Sequence, residues 1–363
     1  MIKVVHTADI HLDSPFAGCS LAGRAEKRDG LKKAFLSLCE YCRDNAVDIL
    51  LIAGDLFDGE FVRRETVEFT AECFAMIPET HIFIAPGNHD FFSGVSPYGY
   101  CNFPDNVKIF TEENLVAVHI PEKSVCVYGY GFCGEKISGD PLADVRPENF
   151  GIVNILIGHG DLDCPSSNYY NIRVSDISSS GFDYAALGHI HKPSEMMKYG
   201  RTFCAYSGCL AGRDFGECGK RGFILAEIEK GDIKTEFISV SQESYEEISV
   251  DITGKSIPEI VSVMKERRKE FPELCHVRAI LCGEREEDVA DYVQLINAHI
   301  SGADFEEIKD MTVGKTLFDE IADEYSLRGV FASKLRPYIE SGDERTAMVA
   351  RLALKYGLDA LKK

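Results

Sequence analysis

The sequence lacks any long uninterrupted apolar run. None of its hydrophobic stretches approaches the roughly 18 residues that a membrane-spanning helix requires, which argues against a transmembrane protein. Residues 1–6 enter a strand-like run at once and do not have the layout of a secretory signal. Internal repeats and low-complexity tracts are also absent from the sequence. We therefore expect a cytoplasmic protein that has no membrane partner.

Cysteine spacing typical of a disulfide framework or a zinc site is also missing. The 13 cysteines are odd in number and scattered along 363 residues, which indicates reduced and mostly buried thiols. The one close pair, Cys39 and Cys42, could serve redox or zinc chemistry. It lies inside a stretch with helical periodicity, however, and no second pair of this kind exists to complete four zinc ligands. We favour packing as the role of this pair.

Basic residues are few for a chain of this size. There are 39 lysines and arginines against 59 aspartates and glutamates, which gives a formal net charge of −20. This excess of negative charge is unfavourable for a protein that binds nucleic acid through its overall electrostatic field. A local basic groove, or cations that supply positive charge at a site, stays compatible with it. The 45% hydrophobic content is that of a globular chain, with room for one large core and one or two smaller units.

Short apolar runs alternate with helical segments up to about residue 190, and this alternation predicts an α/β fold. The predicted strands are residues 2–6, 48–53, 81–85, 107–110, 115–119, 124–128, 152–157 and 184–187, and the predicted helices are residues 24–45 and 60–76. Between residues 194 and 240 the helical signal disappears, and strands with glycine turns dominate.

The character of the sequence changes near residue 241. After it, strands are predicted at residues 246–252, 277–282 and 305–311, and helices at residues 257–270, 286–299, 317–325, 329–341 and 344–362. We therefore predict three parts, which are a first domain of residues 1–240, a small αβ domain of residues 241–313 and a C-terminal helical segment of residues 314–363.

Five short polar segments each lie just past the end of a predicted strand. They are Asp9-Ile10-His11, Gly54-Asp55-Leu56-Phe57-Asp58, Gly87-Asn88-His89-Asp90, Gly158-His159-Gly160 and Gly188-His189-Ile190-His191. The carboxyl ends of parallel strands share one edge of an open α/β sheet, so we expect these segments to converge in space. Five of the ten histidines fall in them.

The residue types in these segments favour metal binding. Carboxylate, imidazole and amide oxygen together suit Mn²⁺, Fe²⁺ or Zn²⁺ better than a metal that prefers thiolates. Two such cations about 3.5–4 Å apart can clamp a phosphate and activate a nucleophile. Each segment alone has a structural alternative, such as a histidine that only packs, a helix cap at Asp58 or a turn at residues 88–90. Five such segments in order, each ending a strand, favour the metal site.

These segments resemble the motifs of the calcineurin-like metallophosphoesterase superfamily, which are DxH, GD, GNH(D/E), GH and GHxH. The resemblance covers roughly residues 1–240, which would form the catalytic domain. It implies a four-layer α/β/β/α sandwich, followed here by a small αβ cap domain and C-terminal helices. The runs GDLFD, GNHD and GHIHKP are similar to the SbcD/YhaO-like branch of DNA repair exonucleases. So are Ser207-Gly208 and the run from Arg213 to Glu217.

The resemblance also implies a ligand set for two divalent cations, expected to be Mn²⁺, with Fe²⁺ or Zn²⁺ as alternatives. One cation would be held by Asp9, His11, Asp55 and His191, and the other by Asp55, Asn88, His159 and His189. In this assignment the Asp55 carboxylate bridges the two cations.

His89 would be the catalytic acid that hydrogen-bonds the phosphate and helps the leaving oxygen depart. Asp58 and Asp90 either orient His89 or a metal ligand, or merely cap helices and turns. Some relatives carry a second histidine where this chain has Asp58. That departure bears on how His89 is held and on nuclease efficiency.

Three functions are compatible with these patterns. The first is a Mn²⁺-dependent DNA exonuclease or endonuclease in DNA repair, which would work with an SbcC-like or YhaN-like ATPase. The second is a phosphodiesterase or phosphatase for nucleotides or other small molecules, with a cap that narrows access. The third is a binding protein that retains metal but has weak catalysis, and the intact ligand and acid residues argue against it. We rank them in this order.

Two features of assembly remain open at the level of sequence. The resemblance implies a homodimer formed by helices of the phosphoesterase core. The C-terminal helices have two interpretations, because their apolar residues, for example Leu317, Ile321, Tyr325 and Leu327, could pack on the cap or dock a coiled coil of the partner ATPase.

Overall fold

The computed structural model of the chain describes residues 1–17, 19–59, 62–240, 243–285, 292–300, 305–314 and 321–361. The chain divides into two compact units, Met1–Ser244 and Tyr245–Lys363. Each unit has a hydrophobic core of its own. None of the helices in the described ranges combines the length and the hydrophobicity that a bilayer crossing demands.

The first unit is built from short strands and four helices within the described residues. Its strands are β1 (Ile2–Thr7), β2 (Ile49–Ile52), β3 (His81–Ile84), β4 (Val107–Ile109), β5 (Val116–Ile120), β6 (Val125–Gly129), β7 (Val153–His159), β8 (Asp161–Leu162), β9 (Asn171–Ile172), β10 (Tyr184–Gly188), β11 (Met197–Tyr199), β12 (Thr202–Tyr206), β13 (Phe223–Glu229) and β14 (Asp232–Ile238). Its helices are α1 (Leu21–Asp44), α2 (Arg64–Ala75), α3 (Pro97–Tyr100) and α4 (Val174–Ser180).

Most of these strands form two six-stranded sheets, with the orders β14-β13-β1-β2-β3-β4 and β11-β12-β10-β7-β6-β5. In the first sheet β1, β2, β3 and β4 are parallel. In the second sheet β6, β7, β10 and β12 are parallel. Because parallel strands point the same way, the carboxyl ends of β1, β2 and β3 share one edge, and so do those of β7 and β10.

Alternating side chains along the strands sort the core into layers. On β2, Leu50 packs in the cluster formed with α1 and α2, whereas Leu51 lies in the cluster between the two sheets. On β7, Ile155 shares that intersheet cluster, and Leu156 packs with Ile177 of α4 on the far side. The layers therefore follow the order helix, sheet, sheet, helix, and the predicted four-layer α/β/β/α sandwich is confirmed.

The second unit combines a small mixed region with two longer helices. Its elements are β15 (Ser244–Asp251, beginning at the junction), α5 (Ile257–Arg268), β16 (Cys275–Cys282), β17 (Glu284–Arg285), α6 (Tyr292–Asn297), β18 (Glu307–Asp310), β19 (Val313–Gly314), α7 (Leu327–Ile339) and α8 (Glu344–Ala360). Strands β15, β16 and β18 form a sheet. Helix α5 begins with a capping box between Ser256 and Glu259, which satisfies amide donors that the first turn leaves free.

Several element boundaries differ from the prediction. Helix α1 begins at Leu21 rather than residue 24, because the Ser20 hydroxyl accepts the Gly23 amide at 3.2 Å and caps the first turn. Helices α3 and α4 were not predicted, since four and seven residues are too few to show helical periodicity. Residues 60, 61, 286–291 and 315–320, which belong to predicted helices or adjoin them, lie outside the described residues. The division into a cap of residues 241–313 and a helical segment of residues 314–363 stays a prediction.

Candidate metal centre

The five polar segments converge at the carboxyl-terminal edges of the two sheets. The first three segments follow β1, β2 and β3 of the first sheet, and the other two end or follow β7 and β10 of the second sheet. All seven side chains that the sequence offered as ligands come together there. They form two groups of histidines that meet at one carboxylate, Asp55.

We call the first group, Asp9, His11 and His191, the His11–His191 half. The two Nε2 atoms of its histidines face each other at 3.3 Å. The Oδ1 atom of Asp9 lies 3.8 Å from His191 Nε2. Potential ligand atoms of these three residues lie within 4.8 Å of one another. One small cation could therefore contact all three side chains.

The second group, Asn88, His159 and His189, is called the His159–His189 half. The Oδ1 atom of Asn88 lies 3.1 Å from His159 Nε2 and 3.2 Å from His189 Nδ1. The His159 ring is fully buried, and the two imidazole rings stack edge to face at 5.1 Å. As in the His11–His191 half, two ring nitrogens and one oxygen point into a common space.

Asp55 joins the two halves. Its Oδ2 atom lies 3.8 Å from His11 Nε2 and 3.4 Å from His159 Nε2, so a single oxygen faces both groups. Its Oδ1 atom accepts the backbone N–H of His89 at 3.0 Å. That hydrogen bond fixes the orientation of the carboxylate, so that Oδ2 stays turned towards both groups.

In each of the four imidazole rings, one nitrogen faces an acceptor outside the cluster. His11 Nδ1 donates to Asp58 at 3.3 Å, His191 Nδ1 donates to Glu217 at 2.7 Å, and His159 Nδ1 donates to the Ala53 carbonyl at 2.9 Å. His189 Nε2 lies 3.4 Å from an Asp161 carboxylate oxygen. Neutral imidazole has one N–H and one lone pair, so the remaining nitrogens direct lone pairs into the cluster.

This donor set fits divalent cations. Four imidazole nitrogens converge with oxygens of Asp9, Asp55 and Asn88, and a positive charge would hold such a set of ligand atoms together. Imidazole and carboxylate are ligands for Mn²⁺, Fe²⁺ and Zn²⁺ alike. The outer acceptors of the rings match the carboxylate or carbonyl partners that orient metal-ligating histidines.

The electrostatics of the cluster also favour divalent cations. Burial lowers the pKa of His159, but the facing Asp55 carboxylate outweighs burial and raises it to about 9. For His191 burial is again outweighed, here by the hydrogen bond to Glu217, and the pKa is raised. Burial favours neutral Asp55, but the neighbouring histidines hold its pKa well below the usual value. The carboxylates thus require nearby positive charge, which a divalent cation supplies in exchange for protons.

Backbone strain is concentrated at the same residues. Asp9, His11, Asp55 and His189 have φ values of 50°, 51°, 52° and 103°, in the left-handed region that side-chain-bearing residues rarely adopt. Such conformations cost on the order of 1–3 kcal/mol each and persist where the surroundings impose them. Four of the seven ligand candidates therefore carry strain that serves the placement of their side chains.

Two glycines allow the segments to approach this closely. A Cβ at Gly54, whose φ is +93°, would stand 2.1 Å from His159 Nδ1. A Cβ at Gly87 would stand 2.2 Å from Asp55 Oδ1. Both distances are far below van der Waals contact, so glycine at these motif positions is required for the side chains of His159 and Asp55 to sit where they do.

His89 lies at the rim of the cluster beside Asp58. Its side chain is 47% exposed, and its Nδ1 atom is 3.2 Å from Asp58 Oδ1. Asp58 also contacts His11 Nδ1, so one carboxylate serves both rings. The contact with Asp58 raises the pKa of His89, which favours the protonated form of its ring.

Asp90 occupies a different position from Asp58. It is fully buried, and its carboxylate accepts the backbone N–H groups of Asp55 at 3.2 Å, Phe57 at 3.1 Å and Gly87 at 2.8 Å. The Tyr98 hydroxyl donates to it as well. These contacts place Asp90 beneath the loop that carries Asp55, where it holds two motif turns together through their backbones.

Sequence reasoning assigned no role to several residues that the structure brings to the centre. Asp161 follows the GH motif, Ser14 donates to Asp58 at 2.6 Å, and Glu217 and Arg213 form a pair beside His191. The motif resemblance covers Glu217 and Arg213 only as part of a run similar to one branch of the superfamily. The available signal in the sequence was an arginine beyond the last motif with a carboxylate four residues after it.

Three curated proteins show how far the likeness to known sequences extends. The chain is 27% identical over 297 residues to the Bacillus subtilis protein named uncharacterized metallophosphoesterase YhaO, covering 78% of this chain and 72% of YhaO. It is 26% identical over 284 residues to the DNA double-strand break repair protein Mre11 of Methanopyrus kandleri, covering 70% of this chain and 60% of that protein. It is 24% identical over 265 residues to SbcD, one of the subunits of the nuclease SbcCD of Staphylococcus epidermidis, covering 65% of this chain and 68% of SbcD.

The family model for calcineurin-like phosphoesterases matches residues 2–193. This range is more than half of the chain and contains all five polar segments. Family members use a dinuclear metal site, in agreement with the two groups of ligand candidates that meet at Asp55. The chain belongs to the calcineurin-like phosphoesterase family.

Proposed function

We propose that this protein is a two-metal phosphodiesterase that cleaves DNA, a nuclease of SbcD/YhaO type that acts in DNA repair. One observation carries the hydrolytic part of this proposal. The free nitrogens of four histidines point at one space, and the Asp55 carboxylate lies between the two histidine groups. Such a space suits two cations and one phosphate.

In this proposal each half holds one cation. Asp9, His11 and His191 would bind one, and Asn88, His159 and His189 the other, with Asp55 shared between them. The metal we expect is Mn²⁺, with Fe²⁺ or Zn²⁺ as alternatives that the same ligand types accept. When bound, the two cations supply charge neutralisation of the phosphate and activation of the attacking water.

His89 would act as the general acid. Its Nδ1 faces Asp58, which leaves Nε2 for a substrate at the exposed rim. As water attacks phosphorus it loses one proton to solvent, the bond to the leaving oxygen breaks, and the proton on His89 Nε2 passes to that oxygen. The raised pKa favours the protonated ring that a general acid requires. Asp58 would stabilise the charged ring and hold it against rotation.

The choice of DNA as substrate rests on the relatives. Mre11 is by name a DNA double-strand break repair protein, and SbcD is by name part of a nuclease. The net charge of −20 favours the second candidate, a phosphodiesterase or phosphatase for nucleotides or other small molecules. The same catalytic groups would serve either substrate.

The proposal includes partners. An SbcC-like or YhaN-like ATPase would bind the protein, and the phosphoesterase core would form a homodimer. Helices α7 and α8 share a small core that includes Ala332 and Leu354. Outside that core, Leu327, Val349 and Tyr356 are mostly exposed, which supports a protein partner on these helices. Leu317, also offered at the level of sequence for this role, lies outside the described residues.

Hydrolysis assays on metal-stripped protein test the proposal. A short DNA labelled at its 5′ or 3′ end and bis-p-nitrophenyl phosphate are offered with and without Mn²⁺. We expect cleavage of both, dependent on Mn²⁺ and lost in His89→Asn. His81→Asn is the matched control, because His81 begins β3 at the opposite end of that strand.

Two other outcomes would change the conclusion. Cleavage of the small diester alone would keep the metal mechanism and move the substrate to small molecules. Cleavage of neither compound, with Mn²⁺ bound, would contradict the phosphodiesterase assignment itself.

A further inference from the structure

We infer that Arg213 is a positioning residue. Through the carboxylates of Glu217 and Asp58, it orients the histidines of the His11–His191 half and the ring of the acid His89. The inference rests on the proposed function and adds to it a residue outside the five motifs. Arg213 lies in the segment between β12 and β13, and its side chain is only 18% exposed.

On one side the guanidinium fixes Glu217. Arg213 Nη2 donates to Glu217 Oε1 at 2.7 Å, Nε donates to the same oxygen at 3.1 Å, and the Arg213 backbone N–H donates to Oε2 at 2.8 Å. Glu217 Oε1 in turn accepts from His191 Nδ1 at 2.7 Å. Arg213 Nη2 also lies 3.2 Å from His191 Nδ1. Because a guanidinium only donates, the Glu217 carboxylate that accepts from both groups orients the His191 ring.

On the other side the same guanidinium reaches the Asp58 network. Arg213 Nη1 donates to Ser14 Oγ at 3.3 Å and lies 3.9 Å from Asp58 Oδ2. Ser14 Oγ donates to that Asp58 oxygen at 2.6 Å. The other oxygen of Asp58 contacts His11 and His89. Arg213 thus stands between the two carboxylates that orient three of the site histidines.

Charge explains why an arginine is needed there. The side chains of Glu217 and Asp58 are 8% and 14% exposed, so two carboxylates are largely removed from water. Buried carboxylates require a compensating charge with matching hydrogen bonds. The planar guanidinium offers donors in two directions at once, whereas a lysine ammonium would serve one carboxylate and leave the other without its donor.

A role confined to closing the local loop would have different consequences. Loop closure needs only the Arg213–Glu217 pair, and its loss would lower stability without a selective effect on metal binding or turnover. A positioning role predicts a fall in Mn²⁺ affinity at one of two sites and a fall in kcat, with little change in KM. Loss of a partner that orients metal ligands typically reduces affinity or activity roughly 10–100-fold.

The experiment compares Arg213→Ala, Arg213→Lys and the control Arg201→Gln. Arg201 pairs with Asp183, which precedes β10 at the end of that strand away from the site. We measure Mn²⁺ binding by titration calorimetry, thermal unfolding of the metal-free proteins, and kcat and KM on bis-p-nitrophenyl phosphate. Guanidinium chloride is then added to Arg213→Ala, with sodium chloride at equal concentration as the salt control.

We expect both Arg213 variants to bind one Mn²⁺ more weakly, to lose kcat by roughly 10–100-fold and to keep KM, with guanidinium but not sodium restoring turnover in Arg213→Ala. The control should match the wild type. Unchanged Mn²⁺ binding and kcat in both variants would overturn the inference, as would full activity of Arg213→Lys. An inactive wild-type protein would instead refute the proposed function, so the two failures are distinguishable.

Discussion

The two halves of the metal centre hold their histidines by different means. In the His11–His191 half both rings donate to side-chain carboxylates, which belong to Asp58 and Glu217. In the His159–His189 half one ring donates to the backbone carbonyl of Ala53, and the other lies beside the Asp161 carboxylate. The side-chain carboxylates must themselves be positioned by other groups, whereas the Ala53 carbonyl is held by the sheet.

The fixed acceptor comes directly from the fold. Ala53 follows β2, and its own N–H donates to the Thr7 carbonyl of the neighbouring strand at 2.8 Å, which ties the residue to the sheet. A carboxylate has no such constraint, so Asp58 and Glu217 depend on Ser14 and Arg213. In return, a charged acceptor makes the imidazole a more basic ligand than a neutral carbonyl does. Backbone geometry thus sets one histidine of the His159–His189 half, whereas both histidines of the His11–His191 half depend on charged side chains.

Asp55→Asn should have the largest effect, because one oxygen of Asp55 lies between His11 of one half and His159 of the other. The substitution keeps the shape but removes the charge that both groups share. We expect loss of one metal equivalent and a fall in hydrolysis of at least about 100-fold, beyond that of an outer partner. Metal content by elemental analysis and turnover of bis-p-nitrophenyl phosphate measure the two effects. Retention of both metals would contradict the shared role of Asp55.

His89→Asn should have the second-largest effect and should separate catalysis from metal binding. His89 contacts Asp58 at the rim, and its ring is not among the nitrogens that converge between the halves. Loss of a general acid typically reduces turnover by roughly 10²–10⁴-fold. We expect kcat to fall in this range while metal content stays at the wild-type value. A parallel fall in metal content would make His89 a ligand and not the acid.

Asp58→Asn and Asp161→Asn compare the two halves directly. Asp58 contacts two rings, His11 and His89, whereas Asp161 contacts only His189. We expect Asp58→Asn to lower kcat by roughly 10–100-fold and Asp161→Asn to lower it less. Kinetic assays of both variants on the same diester, with Mn²⁺ titrations, give the ratio of the two falls in kcat. Equal effects would mean that the two halves depend on their carboxylates to the same degree.

The sequence could predict the convergence of the five segments because strand ends are read from apolar runs and glycines. Parallel strands then bring those ends to a common edge, as β1, β2 and β3 do here. The outer partners could not be predicted in the same way. Arg213 and Glu217 lie in an irregular segment after β12, where no periodicity indicates the direction of a side chain.

Asp58 and Asp90 show the same limit within the motifs. Both follow a strand by a few residues, and both were open to a role in orienting His89 or in capping a turn. The structure turns Asp58 towards two imidazoles and Asp90 towards three backbone amides. These directions follow from contacts with segments distant in sequence, which local residue types do not reveal.

His6 provides a comparison from outside both halves, and its effect should be the smallest. It is a fully buried histidine of β1 whose nitrogens contact the Tyr184 hydroxyl and the Leu187 carbonyl, and burial lowers its pKa to about 3. The unfolded chain, with a histidine pKa near 6.5, binds the proton more readily than the folded chain. Stability from this residue is therefore complete above about pH 6.5 and is lost progressively as the pH falls towards 3.

The His6→Gln variant, which cannot titrate at this position, measures that contribution. At about pH 5 the wild type should lose about 2 kcal/mol of this stability relative to about pH 7.5. Urea unfolding at both pH values should show that His6→Gln has a smaller pH dependence than the wild type by this amount. An equal pH dependence in both proteins would show that burial does not lower the pKa of His6 in the folded protein.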